Sequence, residues 1–167
     1  MHTLLAIAVF TDNRELFDNA VYHYLHANAN GSLIKYIYPT GQCQETRRDQ
    51  GHVQMGLYEF AGAARIAYTQ GVDLFSAADN RLALGLEYSA RFICGDSVYA
   101  YGVPSQRERF KYRAGFEYCI DHFTAKGFDM PYLRELCSRT KMNNPANALW
   151  KLTAFREEFR QKPSQLC

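Results

Sequence analysis

Apolar positions along this chain recur mainly at helical spacing. Leu16, Phe17, Ala20, Val21 and Tyr24 lie three or four residues apart behind an Asp12-x-x-Glu15 capping pattern, which predicts a helix over about 13–28 that stops near Asn30-Gly31. The apolar run Leu4–Phe10 reads as the end of an earlier helix. Val53, Leu57 and Phe60 begin the apolar side of a long helix over 45–70, closed by Gly71. Leu82, Leu86, Ala90 and Ile93 mark a helix over 80–93 that stops at Gly95. Ser105 and Glu108 repeat the capping pattern, and Tyr112, Phe116, Cys119, Ile120 and Phe123 predict a helix over 105–126. Leu133, Leu136 and Cys137 predict one over about 131–140. Leu149, Leu152, Phe155 and Phe159, behind Asn144-Pro145, predict a last one over 145–160, frayed after Gln161. Residues 32–43 break the helical pattern: Ile34, Tyr36 and Tyr38 alternate with Lys35 and Ile37 before Pro39 and Gly41, which predicts an extended loop with at most a short strand, and residues 96–104, with Tyr99, Tyr101 and Pro104, read as a second loop. The chain is therefore expected to be all-α, a single domain over 1–167 built from antiparallel helical hairpins, with no internal repeat.

One polar stripe interrupts this apolar record. Glu45, Arg48, Asp49 and His52 are spaced three, four and seven apart, so on a helix they share one face, which Gly56 and Glu59 continue. Two acids, an arginine and a histidine beside a bare glycine can grip an anionic, hydroxyl-rich ligand and move a proton. Spacing alone leaves a second reading open, a solvated face laced with ion pairs, as is ordinary for surface helices.

Composition narrows the classes. With 167 residues and 47% hydrophobic content the chain can bury a real core. A net charge of +2 without a Lys/Arg block argues against nucleic acid, and no apolar run is long enough to cross a membrane. The Leu4–Phe10 run is too short, and lacks a basic start, to be a signal peptide. Cys43, Cys94, Cys119, Cys137 and Cys167 are odd in number and form no CxxC pair, so buried thiols are expected rather than a zinc ribbon or a disulfide framework. His23 and His26 have a metal-compatible spacing, but without a third ligand they read as a helix edge; no metal and no cofactor is expected. His122 reads as a packed or exposed histidine, and Trp150 as core. Arg81 fits either an ion pair at a helix start or contact with a substrate carboxylate. The 12 tyrosines and 11 phenylalanines fill cores in the first instance, and rings of this kind also serve as sugar platforms.

The run from Gln42 to Arg91 resembles the alginate lyase family of polysaccharide lyases. Its carriers are E-x-x-RDQGH-x-Q from Glu45, A-x-x-A at Ala64–Ala67, QGVDL from Gln70 and DNRL-x-x-G-x-EY from Asp79. TDNRELFDNAV upstream and KGFDMPY downstream fit the same pattern, so the likeness spans about residues 3–135.

This resemblance implies a partial (α/α) toroid with a cleft on its wide face, and β-elimination at uronic acid residues of an acidic polysaccharide of alginate or glucuronan type. It makes Arg48 the arginine that neutralises the uronate carboxylate and sets His52, one turn on, near the family's second proton-transfer position. Glu45 and Gln50 fit polar supporting roles, and Tyr36, Tyr38 and Tyr58 are candidates for a substrate-binding phenol. The family's Asn-His pair precedes the position matching residue 1, so the resemblance implies the C-terminal portion of a toroid, with weak or absent turnover and an apolar face near Leu4–Val9 inviting self-association. It also implies a periplasmic or extracellular protein. The alternative is a non-catalytic helical scaffold that binds polysaccharide or protein partners.

Overall fold

The structure, a computed structural model, describes residues 1–143. The helix expected over 145–160, with Trp150, and Cys167 lie outside the described residues. Within them the chain is all-α, and the sole β feature is an isolated antiparallel bridge between Ile37 and Cys43. The helices are α1 (His2–Phe10), α2 (Arg14–His26), a single turn α3 (Leu33–Tyr36), α4 (Gln50–Thr69), α5 (Ala77–Cys94), α6 (Glu117–Ala125) and α7 (Pro131–Asn143).

Helix α4 is the hub: α1 packs on one side of it and α5 on another, α2 packs on α1, and α7 on α5 and α6. Its Val53, Leu57, Phe60, Ala61 and Ala64 are buried, as are Leu5 and Ala8 of α1 and Leu82, Leu86 and Ala90 of α5. Small residues on α4 let its neighbours approach closely: a Cβ at Gly62 would stand 2.6 Å from the His2 ring. Cys43, Cys119 and Cys137 are buried free thiols; burial pushes that of Cys43 up to about 12. His122 stacks on Phe75 with ring centroids 4.1 Å apart, and Arg81 donates to the Ile37 carbonyl oxygen at 3.2 Å, a structural role.

Three sequence expectations are corrected. The cap of α2 is Asn13, whose side chain accepts from Leu16 N–H at 2.9 Å, not Asp12. The long helix starts at Gln50 rather than Glu45, behind a 3₁₀ turn over Gln44–Arg47. The helix expected over 105–126 begins only at Glu117.

The physical reason for the last lies in buried Gln50 and Gln54, and a third buried glutamine, Gln42, holds the loop before residue 105. Gln42 accepts from the Tyr101 N–H (2.7 Å) and donates to the Tyr101 carbonyl oxygen (3.1 Å). The Gln50 side chain donates to the Ser105 carbonyl oxygen (2.8 Å) and its backbone N–H to that of Arg107 (3.0 Å). Gln54 accepts from the Arg113 N–H (2.9 Å) and donates to the Lys111 carbonyl oxygen (2.8 Å). Backbone groups that a helix would satisfy internally are satisfied here from outside, so the segment 95–116 lies as a strap along residues 42–54. Ser105 makes a local turn, accepting from the Arg107 N–H at 3.2 Å, in place of a helix cap.

Candidate functional site

The polar stripe is built by a break in the chain, not by one helix. Arg48 is still helical in backbone (φ −85°, ψ −65°), but Asp49 is fully extended (φ −172°, ψ 162°). Asp is a strong N-cap and a weak helix-interior residue because its carboxylate competes for backbone N–H groups. Asp49 does this: its Oδ1 accepts from the His52 N–H at 2.8 Å, which ends the 3₁₀ turn and starts α4.

The same carboxylate holds the His52 ring. Nδ1 of His52 lies 2.8 Å from both Asp49 oxygens. Asp49 is 1% exposed, whereas the His52 side chain is about one-third exposed. Burial pushes the Asp49 carboxyl up, but the hydrogen bonds from the backbone and ring of His52, with the nearby charges of His52 and Arg107, outweigh it and hold the group below its ordinary value. An ionised carboxylate only accepts, so Nδ1 carries the proton and Nε2 is the basic position of the neutral ring.

Glu45 and Arg48 flank the pair. A guanidinium nitrogen of Arg48 lies 3.5 Å from the Glu45 carboxylate, and the Arg48 side chain is 58% exposed. The break at Asp49 does not scatter the stripe: Glu45, Arg48, His52 and Glu59 line one surface cavity of about 390 Å³, together with Tyr36 and Gly56. An exposed cation, an acid and an oriented imidazole there can bind a carboxylate-bearing ligand and exchange a proton with it.

The other candidates are placed differently. Gly56 does not leave room for a ligand. A Cβ there would stand 2.0 Å from the Tyr36 hydroxyl oxygen, so the glycine admits the Tyr36 ring instead. That hydroxyl donates to the carbonyl oxygens of His52 (3.2 Å) and Val53 (3.3 Å), and burial raises its pKa far above the ordinary phenol value. Tyr36 is thus a wall of the cavity and a brace for α4, not a titrating phenol. Gln50, expected as a substrate contact, is buried and committed to the strap and to the Thr46 carbonyl oxygen.

Tyr38 stands away from the cavity wall, edge-on to Tyr101 with centroids 6.4 Å apart. Tyr58 lines a second cavity of about 560 Å³ between α1, α4 and the start of α6, with His2, Arg65 and Tyr118. His2, which lines this cavity, lies 3.5 Å from Glu59, which lines the smaller one. The larger cavity is walled by Ala6, Val9, Phe10 and Ile66, and its imidazole, His2, faces a half-exposed carboxylate at 3.5 Å rather than a buried one at 2.8 Å, so the smaller one is the better chemical site.

Sequence reasoning gave Asp49 no role of its own. Its signal was present: Asp three residues before His, at the head of an apolar-periodic run, is an N-cap pattern. The grip of Gln42 and Gln54 on the strap had no local signal, since both bonds cross more than fifty residues.

The alginate lyase family model matches residues 2–98, which includes the whole candidate site. No curated protein and no solved structure matches the chain.

Proposed function

The chain belongs to the alginate lyase family, and from that premise we propose that it cleaves a uronic-acid polysaccharide of alginate or glucuronan type by β-elimination at the Arg48–His52 cavity. The observation that carries this reading is the Asp49–His52 pair at the cavity wall, beside an exposed arginine.

Elimination needs the uronate carboxylate neutralised, because charge develops on it as C5 loses its proton. Arg48 supplies that cation, and Glu45 orients it from 3.5 Å. Nε2 of His52 takes the C5 proton, and Asp49 stabilises the imidazolium that forms. The C5–H electrons become the C4–C5 double bond as the C4–O4 bond breaks. The imidazolium returns its proton to the departing O4 atom, which leaves His52 neutral for the next turn. Tyr36 takes no part in the transfer, since its hydroxyl faces backbone.

The wider reading follows the family. The helices form a sector of an (α/α) toroid, the partner is the polymer itself, and the protein works in the periplasm or outside the cell. Among the described residues no helix is long and apolar enough to cross a membrane.

The test is ultraviolet absorbance of the new double bond on incubation with alginate and with glucuronan. Turnover is expected, with a loss of about 10²–10⁴-fold for His52→Ala and about 10²–10³-fold for Arg48→Ala. Absence of turnover on both polymers, or turnover indifferent to both substitutions, refutes the assignment.

A further inference from the structure

Irregular segments longer than about 12–15 residues are uncommon inside compact domains and are usually functional or disordered. The strap over 95–116 is held in place. Gln42, Gln50 and Gln54 pin its backbone from below, the Tyr88 hydroxyl donates to the Tyr99 carbonyl oxygen at 2.7 Å, and the Thr46 carbonyl oxygen accepts from the Ser105 N–H at 2.9 Å. Arg109 is an internal strut: it donates to the carbonyl oxygens of Phe92 and Asp96 and stacks on the Phe92 ring.

What this fixed backbone presents outward is unusual for a surface. Tyr99 is 73% exposed and Tyr101 55%, their rings edge-to-face at 5.8 Å, with Tyr38 next in the row. Further along, Arg107, Lys111 and Arg113 are exposed. Residues 99–113 hold four cations and one carboxylate, more positive charge than the whole chain's net +2. That carboxylate, Glu108, is offset by Lys111 at 3.3 Å and Arg113 at 3.8 Å. At the aromatic end the Arg47 side chain lies against Gly102, and Arg47 is the neighbour of Arg48. The strap therefore runs beside the segment that carries the proposed carboxylate-binding residue.

We propose that this strap is a second binding surface for the acidic polysaccharide, outside the reacting cavity. Tyr99 and Tyr101 meet the apolar faces of sugar rings, and Arg107, Lys111 and Arg113 meet their carboxylates. The proposal rests on the lyase reading for the identity of the polymer. Aromatic rings held by their own backbone lose little freedom when a ligand covers them, so contact area converts efficiently into affinity. Cations spaced along an exposed strip suit a polymer with repeated carboxylates, and their attraction weakens as salt rises.

The experiment is native electrophoresis of the full chain through gels containing dissolved alginate, dextran or double-stranded DNA. The parent is expected to be retarded by alginate, far less by neutral dextran and less by DNA, and the alginate retardation should fall with salt. Tyr99→Ala with Tyr101→Ala, and separately Arg107→Gln with Lys111→Gln, should each weaken alginate retention about tenfold or more, with unchanged thermal midpoints. Tyr99→Phe with Tyr101→Phe keeps the rings and should keep retention, which guards against a folding artefact in the alanine pair. The proposal is overturned if the parent is not retarded by alginate, if the strap variants are retarded like the parent, or if dextran or DNA retards it as strongly. Retention sensitive to the strap without any double-bond formation would leave the strap standing and sink the lyase reaction. Turnover with strap-insensitive retention would do the reverse.

Discussion

Replacing Asp49 by Asn changes the charge beside His52 with almost no change in shape. Asn is as good an N-cap as Asp, so the bond from the His52 N–H and the start of α4 are retained. What disappears is the negative charge 2.8 Å from Nδ1. At an effective dielectric of about 20, opposite unit charges at that separation attract by roughly 6 kcal/mol. The His52 ring is one-third exposed, so solvent screens part of this, and about 3–5 kcal/mol is the expected loss of stabilisation for the imidazolium formed during proton abstraction. In rate that is about 10²–10⁴-fold in kcat. The assay is steady-state double-bond formation on alginate, paired with thermal unfolding across pH. Asp49 has a folded-state pKa below its unfolded value of about 3.9. Its contribution to stability is therefore complete above that unfolded value and is lost as pH falls through the lower folded one. The Asn variant has no such group, so this part of the stability difference between parent and variant should shrink as pH falls through the acid range. A kcat within threefold of the parent, at an unchanged thermal midpoint, would show that Asp49 does not serve His52 and would refute the dyad.

Gly56→Ala should destabilise the fold by about 1–3 kcal/mol, because its Cβ would collide with the Tyr36 hydroxyl and break both of that group's hydrogen bonds; a thermal midpoint equal to the parent's would contradict the packing described. Gln54→Ala leaves the Arg113 N–H and the Lys111 carbonyl oxygen without their partner, at about 1–3 kcal/mol for an unsatisfied buried group. It should speed amide exchange and proteolysis within 105–116 while α4 stays protected, and uniform protection would contradict the role given to the glutamine. Leu4, Ile7, Val9 and Phe10 of α1 are exposed, so concentration-dependent self-association is expected in sedimentation, and Ile7→Ser with Phe10→Ser should abolish it; a monomer at all concentrations would count against this face.

Much of the fold was legible because it is local. The stripes of α2 and α5, the stop of α5 at Gly95 and the inward faces of α6 and α7 follow from 3.6-residue periodicity and terminal glycines, which depend on neighbours in sequence. The RDQGH-x-Q motif likewise pointed to Arg48 and His52 before any geometry was known. Two corrections, the caps at Asn13 and Asp49, are local; the others are long-range. Gly56 read as open space, yet its space belongs to Tyr36, twenty residues earlier. Gln50 read as a ligand group, yet it anchors a strap fifty-five residues later. The stripe Tyr112, Phe116, Cys119 read as helix along its whole length, but helix formation before Glu117 lost to hydrogen bonds from Gln50 and Gln54. Tyr58 carried the same residue type as other site candidates, yet the side of α4 on which it stands faces a different cavity. Sequence by itself determined most of the helical segments and which residue types are on offer for chemistry, because propensity, capping and motif are properties of a few adjacent residues. The tertiary structure decided which of those residues meet, because satisfying buried backbone groups and filling space around α4 are settled only when distant segments pack together.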